Sequence, residues 1–169
     1  MPPDLRRSSN MPFSIWEFLV DKKPAQPHWA KKIRSAIKAA DGGPSETNLA
    51  EAPVLNYWRP HVSRHGAPIL WGMVSGHPRL AGGWIMTSQL VAVDACRGWA
   101  RTASRWYALG RQFSDYERSI AKGLGMNEAP SGFVQIEVPG YRPLDDLSLL
   151  DELLGAWRER MAFHDNGEG

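Results

Sequence analysis

The sequence has little of the residue types and patterns that mark several large classes of protein. It contains one cysteine, Cys96, in 169 residues, which excludes an internal disulfide framework and a cysteine-rich zinc cluster. No run of 18 apolar residues is present, which argues against a membrane-spanning helix. The first residues also lack the apolar stretch of a secretory signal. We therefore expect a cytoplasmic protein without a membrane partner.

Signatures of catalysis and nucleotide binding are missing as well. The chain has no Walker loop and no dinucleotide-binding glycine fingerprint, and Ser88 and Ser104 do not lie in a nucleophile-elbow context. With 43% hydrophobic residues, a chain of this length builds one compact domain. We expect that domain over residues 13–163, with a loose segment at 1–12 and a frayed tail at 164–169.

Charge is unevenly distributed along the chain. The net charge is +2, but residues 1–40 carry +5, residues 41–58 carry −3, residues 59–112 carry +6 and residues 113–169 carry −6. Two interpretations remain open for this asymmetry. The basic middle either binds an anionic partner or is neutralised internally by the acidic last third.

Helical patterns occupy the beginning and the end of the chain. We predict helices over 13–20, 28–40, 46–52 and 112–124, with Ser45 as an N-cap and an irregular link over 59–68. The strongest pattern covers 144–161, where an apolar stripe repeats at helical spacing: Leu147, Leu150, Leu154, Trp157 and Met161. This C-terminal amphipathic helix either packs on the domain or forms a homodimer contact.

The middle of the chain changes to strand patterns. Residues 69–75, 84–94 and 99–109 predict a three-stranded antiparallel curved meander, and residues 133–138 predict a further strand. For 99–109 a helix is the alternative, because alanine and arginine favour helices, but the Trp, Thr and Tyr content favours a strand. The expected fold class is therefore α+β.

Aromatic and arginine side chains alternate in the last strand of this meander. As one strand, residues 99–109 place Trp99, Arg101, Arg105 and Tyr107 on the same face. Such a surface suits a protein hot spot, or stacked bases and phosphates of a nucleic acid. The alternative is that the tryptophans belong to the core and the arginine stems cover them.

The turn SGHPR at residues 75–79 is the most distinctive short segment. His77 and Arg79 between glycines are candidates for anion binding or acid–base chemistry, which gives an enzyme hypothesis in which Arg101 and Arg105 bind a phosphate-bearing substrate. The alternative is a tight turn in which the His77 side chain holds the loop by hydrogen bonding.

A metal or cofactor site has weak support. His61 and His65 have the spacing of helical metal ligands, but Pro60 and Gly66 flank them and argue against a helix there. Cys96 beside Arg97 lacks an obvious histidine partner for a catalytic thiol. We expect no metal and no cofactor.

One part of the chain resembles a known family. The segments WGxVSGHPRL at 71–80, IxTS at 85–88 and GWARTxSRWYxLG at 98–110, where x is any residue, resemble a family of small bacterial proteins of unknown function. This resemblance implies a shared β core and a bacterial, mobile-element setting, and it assigns no role to any residue.

These observations favour a non-catalytic binding or regulatory protein. We expect it to act on a macromolecular partner through an Arg/Trp-rich sheet surface comprising Arg79, Trp99, Arg101, Arg105 and Tyr107. A protein partner ranks slightly above a nucleic acid, and a phage- or plasmid-encoded counter-defence factor is one concrete form. The phosphate-substrate enzyme, a nuclease or transferase, is the competing class.

Overall fold

The computed structural model describes residues 27–130 and 132–165. Its helices are α1 Pro27–Asp41, α2 Glu46–Glu51, α3 Phe113–Gly123 and α4 Leu147–Asp165. Its strands are β1 Val54–Ser63, β2 Pro68–Ser75, β3 Gly83–Met86, β4 Leu90–Asp94, β5 Trp99–Thr102, β6 Trp106–Leu109 and β7 Tyr141–Pro143. The predicted α+β class is confirmed, although the sheet in this part of the chain has seven strands instead of three.

The sheet curves until its two ends meet. Its strand order is β3-β2-β1-β6-β5-β4, and only residues 87–89 separate β3 from β4. The Thr87 N–H donates to the Leu70 carbonyl on β2, whereas the Gln89 carbonyl accepts from the Ala103 N–H just after β5. The β3–β4 segment is therefore one kinked strand that closes a small barrel, and the parallel pair β1–β6 completes the ring.

Inward-facing residues of the barrel strands form the main core. The cluster combines side chains from five strands with two from α4: Leu55, Trp58, Leu70, Val74, Leu90, Ala100, Tyr107, Leu150 and Leu154. Burial of each leucine contributes about 1.5–3 kcal/mol to stability. The apolar stripe predicted on the C-terminal helix thus covers the barrel interior.

The other helices pack on the outside of the barrel. Ile33 and Ala36 of α1 contact Val91, Ala103 and the α4 residue Met161. Helix α3 packs on the barrel through Phe113, which lies in a cluster with Trp71 of β2 and Val138. Helix α2 begins at the predicted cap, because the Ser45 hydroxyl accepts from the Asn48 N–H at 3.0 Å and the Asn48 side chain accepts from the Ser45 N–H.

A bulge bends β1 where it crosses β2. Tyr57 has a φ of 52°, and Tyr57 and Trp58 together interrupt the register between Asn56 and Arg59. Gly72 lies opposite, and a Cβ there would lie 2.9 Å from the Asn56 carbonyl oxygen. The close approach of the two strands therefore requires glycine at this position.

The prediction of an irregular link over 59–68 is wrong, because β1 continues through Ser63 as a central strand. Its sequence pattern is obscured by the bulge and by polar side chains that tertiary contacts bury. Arg59 is 7% exposed and His61 is 1% exposed. Burial of an arginine depends on a partner that lies 86 residues away in the sequence, Asp145.

The predicted strands over 84–94 and 99–109 are each two strands. The first bends at residues 87–89, and the second reverses into the β5–β6 hairpin, which confirms strand rather than helix there. The Thr102 hydroxyl, completely buried, accepts from the N–H groups of Ser104 and Arg105 and so stabilises the turn. A period of two does not reveal such a reversal.

The strand predicted over 133–138 is wrong. Val134, Ile136 and Val138 pack against the cluster formed by Trp71 and Phe113 instead of joining the sheet. A side chain supplies one of the hydrogen bonds that a neighbouring strand would otherwise make, because the Val134 N–H donates to the Glu117 carboxylate at 3.0 Å. The strand in this region is β7, which pairs with the end of β1.

The helices predicted over 28–40, 46–52, 112–124 and 144–161 are confirmed as α1 to α4, with small shifts at their ends. The predicted segment 1–12 and the helix over 13–20 lie outside the described residues. Helix α4 is described through Asp165, which includes the first residues of the predicted tail.

Candidate functional site

The structure separates the residues that alternation places on one strand face: Trp99, Arg101, Arg105 and Tyr107. In the β5–β6 hairpin Arg101 pairs with Trp106, whereas Tyr107 pairs with Ala100 and points into the barrel. Trp99 is buried on the outer face against α1 and α2, with its ring 5.4 Å from that of Trp106. The predicted common face is therefore kept only for Trp99 and Arg101 of β5, because a turn precedes β6 and Tyr107 points into the barrel. Both aromatic residues are buried.

Arg101 lies half-buried on the outer wall of the barrel. Its guanidinium carbon is 5.3 Å from the centre of the Trp106 ring, as in the alternative in which arginine stems cover tryptophans. The Nε atom is buried and has no hydrogen-bond partner among residues 27–130 and 132–165. Burial lowers the pKa of this guanidinium below its ordinary value.

Three of the predicted site residues come together at one end of the barrel. His77 and Arg79 lie in the β2–β3 turn, and Arg105 lies in the β5–β6 turn. Partial burial, then the positive charges of Arg105 and Arg79, lower the pKa of His77. Neither arginine has a carboxylate partner within the described residues, so this turn pair presents a basic surface.

The geometry at His77 matches the loop-holding alternative. The Arg79 N–H donates to His77 Nδ1 at 3.1 Å, and this contact spans the turn. In the part of the chain that the structure describes, the imidazole has this backbone partner and no side-chain hydrogen bond. The enzyme hypothesis, which needs a second polar side chain beside His77, gains no support from this arrangement.

An exposed apolar surface, which sequence reasoning did not single out, covers the outer face of the β2–β3 hairpin. It consists of Met73, Trp84 and Met86, which are 37%, 39% and 51% exposed. Trp84 stacks on Trp71 with ring centres 4.3 Å apart, and Tyr116 meets its edge. We call Met73, Trp84 and Met86 the hairpin surface; its tryptophan is held rigidly by aromatic neighbours.

The outer edge of β3 adjoins this surface. Among the described residues β3 pairs only with β2. Because the Thr87 N–H points toward Leu70 on β2 and backbone groups alternate along a strand, those of Trp84 and Met86 point to the unpaired edge. The edge therefore presents two N–H and two C=O groups beside an exposed tryptophan. Four alternating residues are a weak signal for such an edge in the sequence.

The described residues contain no group of three or more His, Cys, Asp or Glu side chains that could hold a metal ion. Of the predicted histidine pair, His61 is buried on β1 and His65 is exposed in the turn that follows. Cys96 is a free, exposed thiol in the β4–β5 turn. No helix in the described ranges is both long and apolar enough to cross a bilayer.

An ion pair with a buried arginine joins the basic middle of the chain to the acidic last third. The Arg59 Nε and Nη2 groups donate to the two Asp145 carboxylate oxygens at 2.7 and 2.8 Å. Phe113 lies against the guanidinium, 5.1 Å from ring centre to carbon, and a cavity of about 450 Å³ opens beside the pair. The internal neutralisation predicted from the charge pattern thus involves Arg59 instead of Arg101 or Arg105.

A family match covers most of the chain. The model of a family of unknown function matches residues 20–168, so the predicted resemblance extends well beyond residues 71–110. No curated protein and no solved structure matches the chain.

Proposed function

Since this chain belongs to the family of unknown function DUF6634, we propose a function from its geometry. It is a non-catalytic binding protein that takes up an extended, acidic segment of a partner protein along the edge of β3. The observation that carries this proposal is the exposed Trp84 beside backbone groups that no described residue pairs.

Strand addition uses both features of this hairpin. An added strand gains main-chain hydrogen bonds from the N–H and C=O groups of Trp84 and Met86. Its side chains on the outer face contact the hairpin surface, in which tryptophan and methionine are residue types enriched at interfaces. Since Trp84 is already held by Trp71, Tyr57 and Tyr116, little side-chain entropy is lost when a partner covers it.

Charge complementarity selects an acidic segment. Arg79 and Arg105 lie at the end of the barrel from which β3 starts, and no carboxylate among the described residues neutralises them. Negative side chains in the bound strand would lie near this basic turn pair, raise the association rate and disfavour basic segments. The role thus retains Arg79 and Arg105 from the sequence-based site and replaces Trp99 and Tyr107 by the hairpin surface.

The wider setting is part of the same proposal. We place the protein in the bacterial cytoplasm as a regulatory factor, with a phage- or plasmid-encoded counter-defence role as its concrete form; this rests on the sequence resemblance and the charge pattern. The apolar stripe of α4 packs on the barrel and α1, so we do not extend the proposal to a homodimer through this helix.

A display library of random seven-residue peptides tests the proposal. We expect selected peptides to alternate apolar residues, to carry net negative charge, and to lose about 30-fold in affinity against Trp84→Ala, a typical hot-spot effect of about 2 kcal/mol. Met86→Pro and Met86→Ala form a matched pair, because both remove the methionine but only proline removes the N–H at the edge.

The matched pair separates strand addition from side-chain contact alone. Tighter binding to Met86→Ala than to Met86→Pro supports the added strand. Selection of basic peptides, or binding that survives Trp84→Ala, contradicts the proposal. Displacement of a selected peptide by single-stranded DNA would contradict the proposal and support the competing hypothesis that this site binds a nucleic acid.

A further inference from the structure

We propose that the groove between α1 and α4 binds the phosphate groups of a polyanion. This groove has a volume of about 460 Å³, and four cationic side chains line it together with one carboxylate: Lys31, Arg34, Lys38, Arg158 and Asp41. It lies on a different part of the molecule from the hairpin surface, and the inference does not depend on the proposed strand addition.

The packing of α1 dictates where its lysines point. Ile33, Ala36 and Ala40 are buried against the barrel, so the helical period directs Lys31 and Lys38 to the solvent side, where both are exposed. The two lysines are seven residues apart, which places them about 10 Å apart along the helix axis. They therefore form one charged row along the groove.

The charge of this row is not balanced within the groove. Asp41 accepts a hydrogen bond from Arg158 of α4, which ties the two helices together and occupies the carboxylate. Lys31 and Lys38 lie on the same side of the helix and repel each other. A bound anion would remove this repulsion, and the groove therefore favours a ligand with more than one negative charge.

The residue types indicate phosphate recognition without base readout. Lysine is a compact point charge that binds phosphate from many directions, and the Ser35 hydroxyl in the same row adds a hydrogen-bond donor. Contacts of this kind position a nucleic acid backbone but do not discriminate sequence. The ligand class is thus a polyphosphate or a phosphodiester chain, which share this chemistry.

Two probes distinguish these sources: a fluorescein-labelled twelve-nucleotide oligothymidylate and inorganic tripolyphosphate. We expect the oligonucleotide to bind at low salt, as measured by anisotropy, and to weaken at least tenfold in the double variant Lys31→Glu, Lys38→Glu. Loss of two phosphate contacts should also reduce the slope of log K against log salt by about 1.4. Circular dichroism and urea denaturation establish that the variant is folded.

The matched control carries the same charge change elsewhere. Arg111 and Lys122 are exposed outside the groove, so Arg111→Glu, Lys122→Glu should retain affinity within about twofold. If micromolar tripolyphosphate displaces the oligonucleotide, the ligand of the groove is a free polyphosphate. If the oligonucleotide stays bound in millimolar tripolyphosphate, the ligand is a phosphodiester chain. If neither probe binds at 20 mM salt, or if both double variants weaken binding equally, the proposal is wrong.

Discussion

Removal of the Asp145 carboxylate tests the internal ion pair most directly. Arg59 is 7% exposed and donates two hydrogen bonds to Asp145, which anchors the segment before α4 to the central strand. Asp145→Ala leaves the guanidinium buried against Phe113 with its principal counter-charge removed. The Asp145 carboxylate raises the pKa of Arg59 in the unaltered protein. An arginine side chain stays protonated near neutral pH even without this partner, so in the variant a buried charge loses its partner and its burial becomes unfavourable.

The expected loss follows from burial and bond count. Two hydrogen bonds between charged groups contribute about 1.5–3 kcal/mol each when they are buried. The Asp145 side chain is 57% exposed, so water screens the pair and reduces the sum to about 2 kcal/mol. For a domain of this size, that loss lowers the Tm by about 4–8 °C.

Urea denaturation followed by tryptophan fluorescence measures this free energy of unfolding. Asp151→Ala, on the exposed side of α4, is the control and should stay within about 0.5 kcal/mol of the unaltered protein. The double variant Arg59→Met, Asp145→Ala should recover most of the loss, because the buried guanidinium is then removed together with its principal partner. A loss below about 0.5 kcal/mol for Asp145→Ala, or a double variant no more stable than it, refutes the reasoning.

Three further outcomes follow from single positions. Burial lowers the pKa of His61, so the unfolded chain binds the proton more tightly than the folded chain. The contribution of His61 to stability is therefore complete above about pH 6.5 and falls as the pH drops below it. His61→Phe should reduce the change in the urea midpoint between about pH 7.5 and about pH 5.5. Gly72→Ala forces a Cβ against the Asn56 backbone and should cost about 1–3 kcal/mol in the same assay. In Gly110→Ala the new Cβ clashes with the Asn56 side chain, so adding Asn56→Ala should restore the urea midpoint; no restoration contradicts this contact.

Local signals were sufficient for the helices. Ser45 accepts a hydrogen bond at the start of α2, and the leucine stripe of α4 faces the core, because capping and helical amphipathicity depend on residues a few positions apart. The strands were less predictable. Strand β1, for example, contains Arg59 and His61, two residue types that the sequence alone suggests are exposed, whereas packing against distant parts of the chain buries them.

The candidate site was likewise predictable in part from the sequence. The sequence singled out His77, Arg79 and Arg105 by residue type, and the folded chain brings them to one end of the barrel. It did not reveal that Trp99 is buried while Trp84 is exposed, since both lie in apolar alternating segments. Which tryptophan is covered depends on where α1 and α2 pack.

The sequence by itself determined the α+β class, the positions of the four described helices and the uneven distribution of charge, because composition and short-range periodicity encode these properties. The tertiary structure alone decided that the sheet closes through the kinked β3–β4 segment and that Arg59 pairs with Asp145. It also decided that no described residue covers the β3 edge or the α1–α4 groove. The physical reason is that strand pairing and ion pairing join residues far apart in the chain, so their partners are specified only when the whole domain packs.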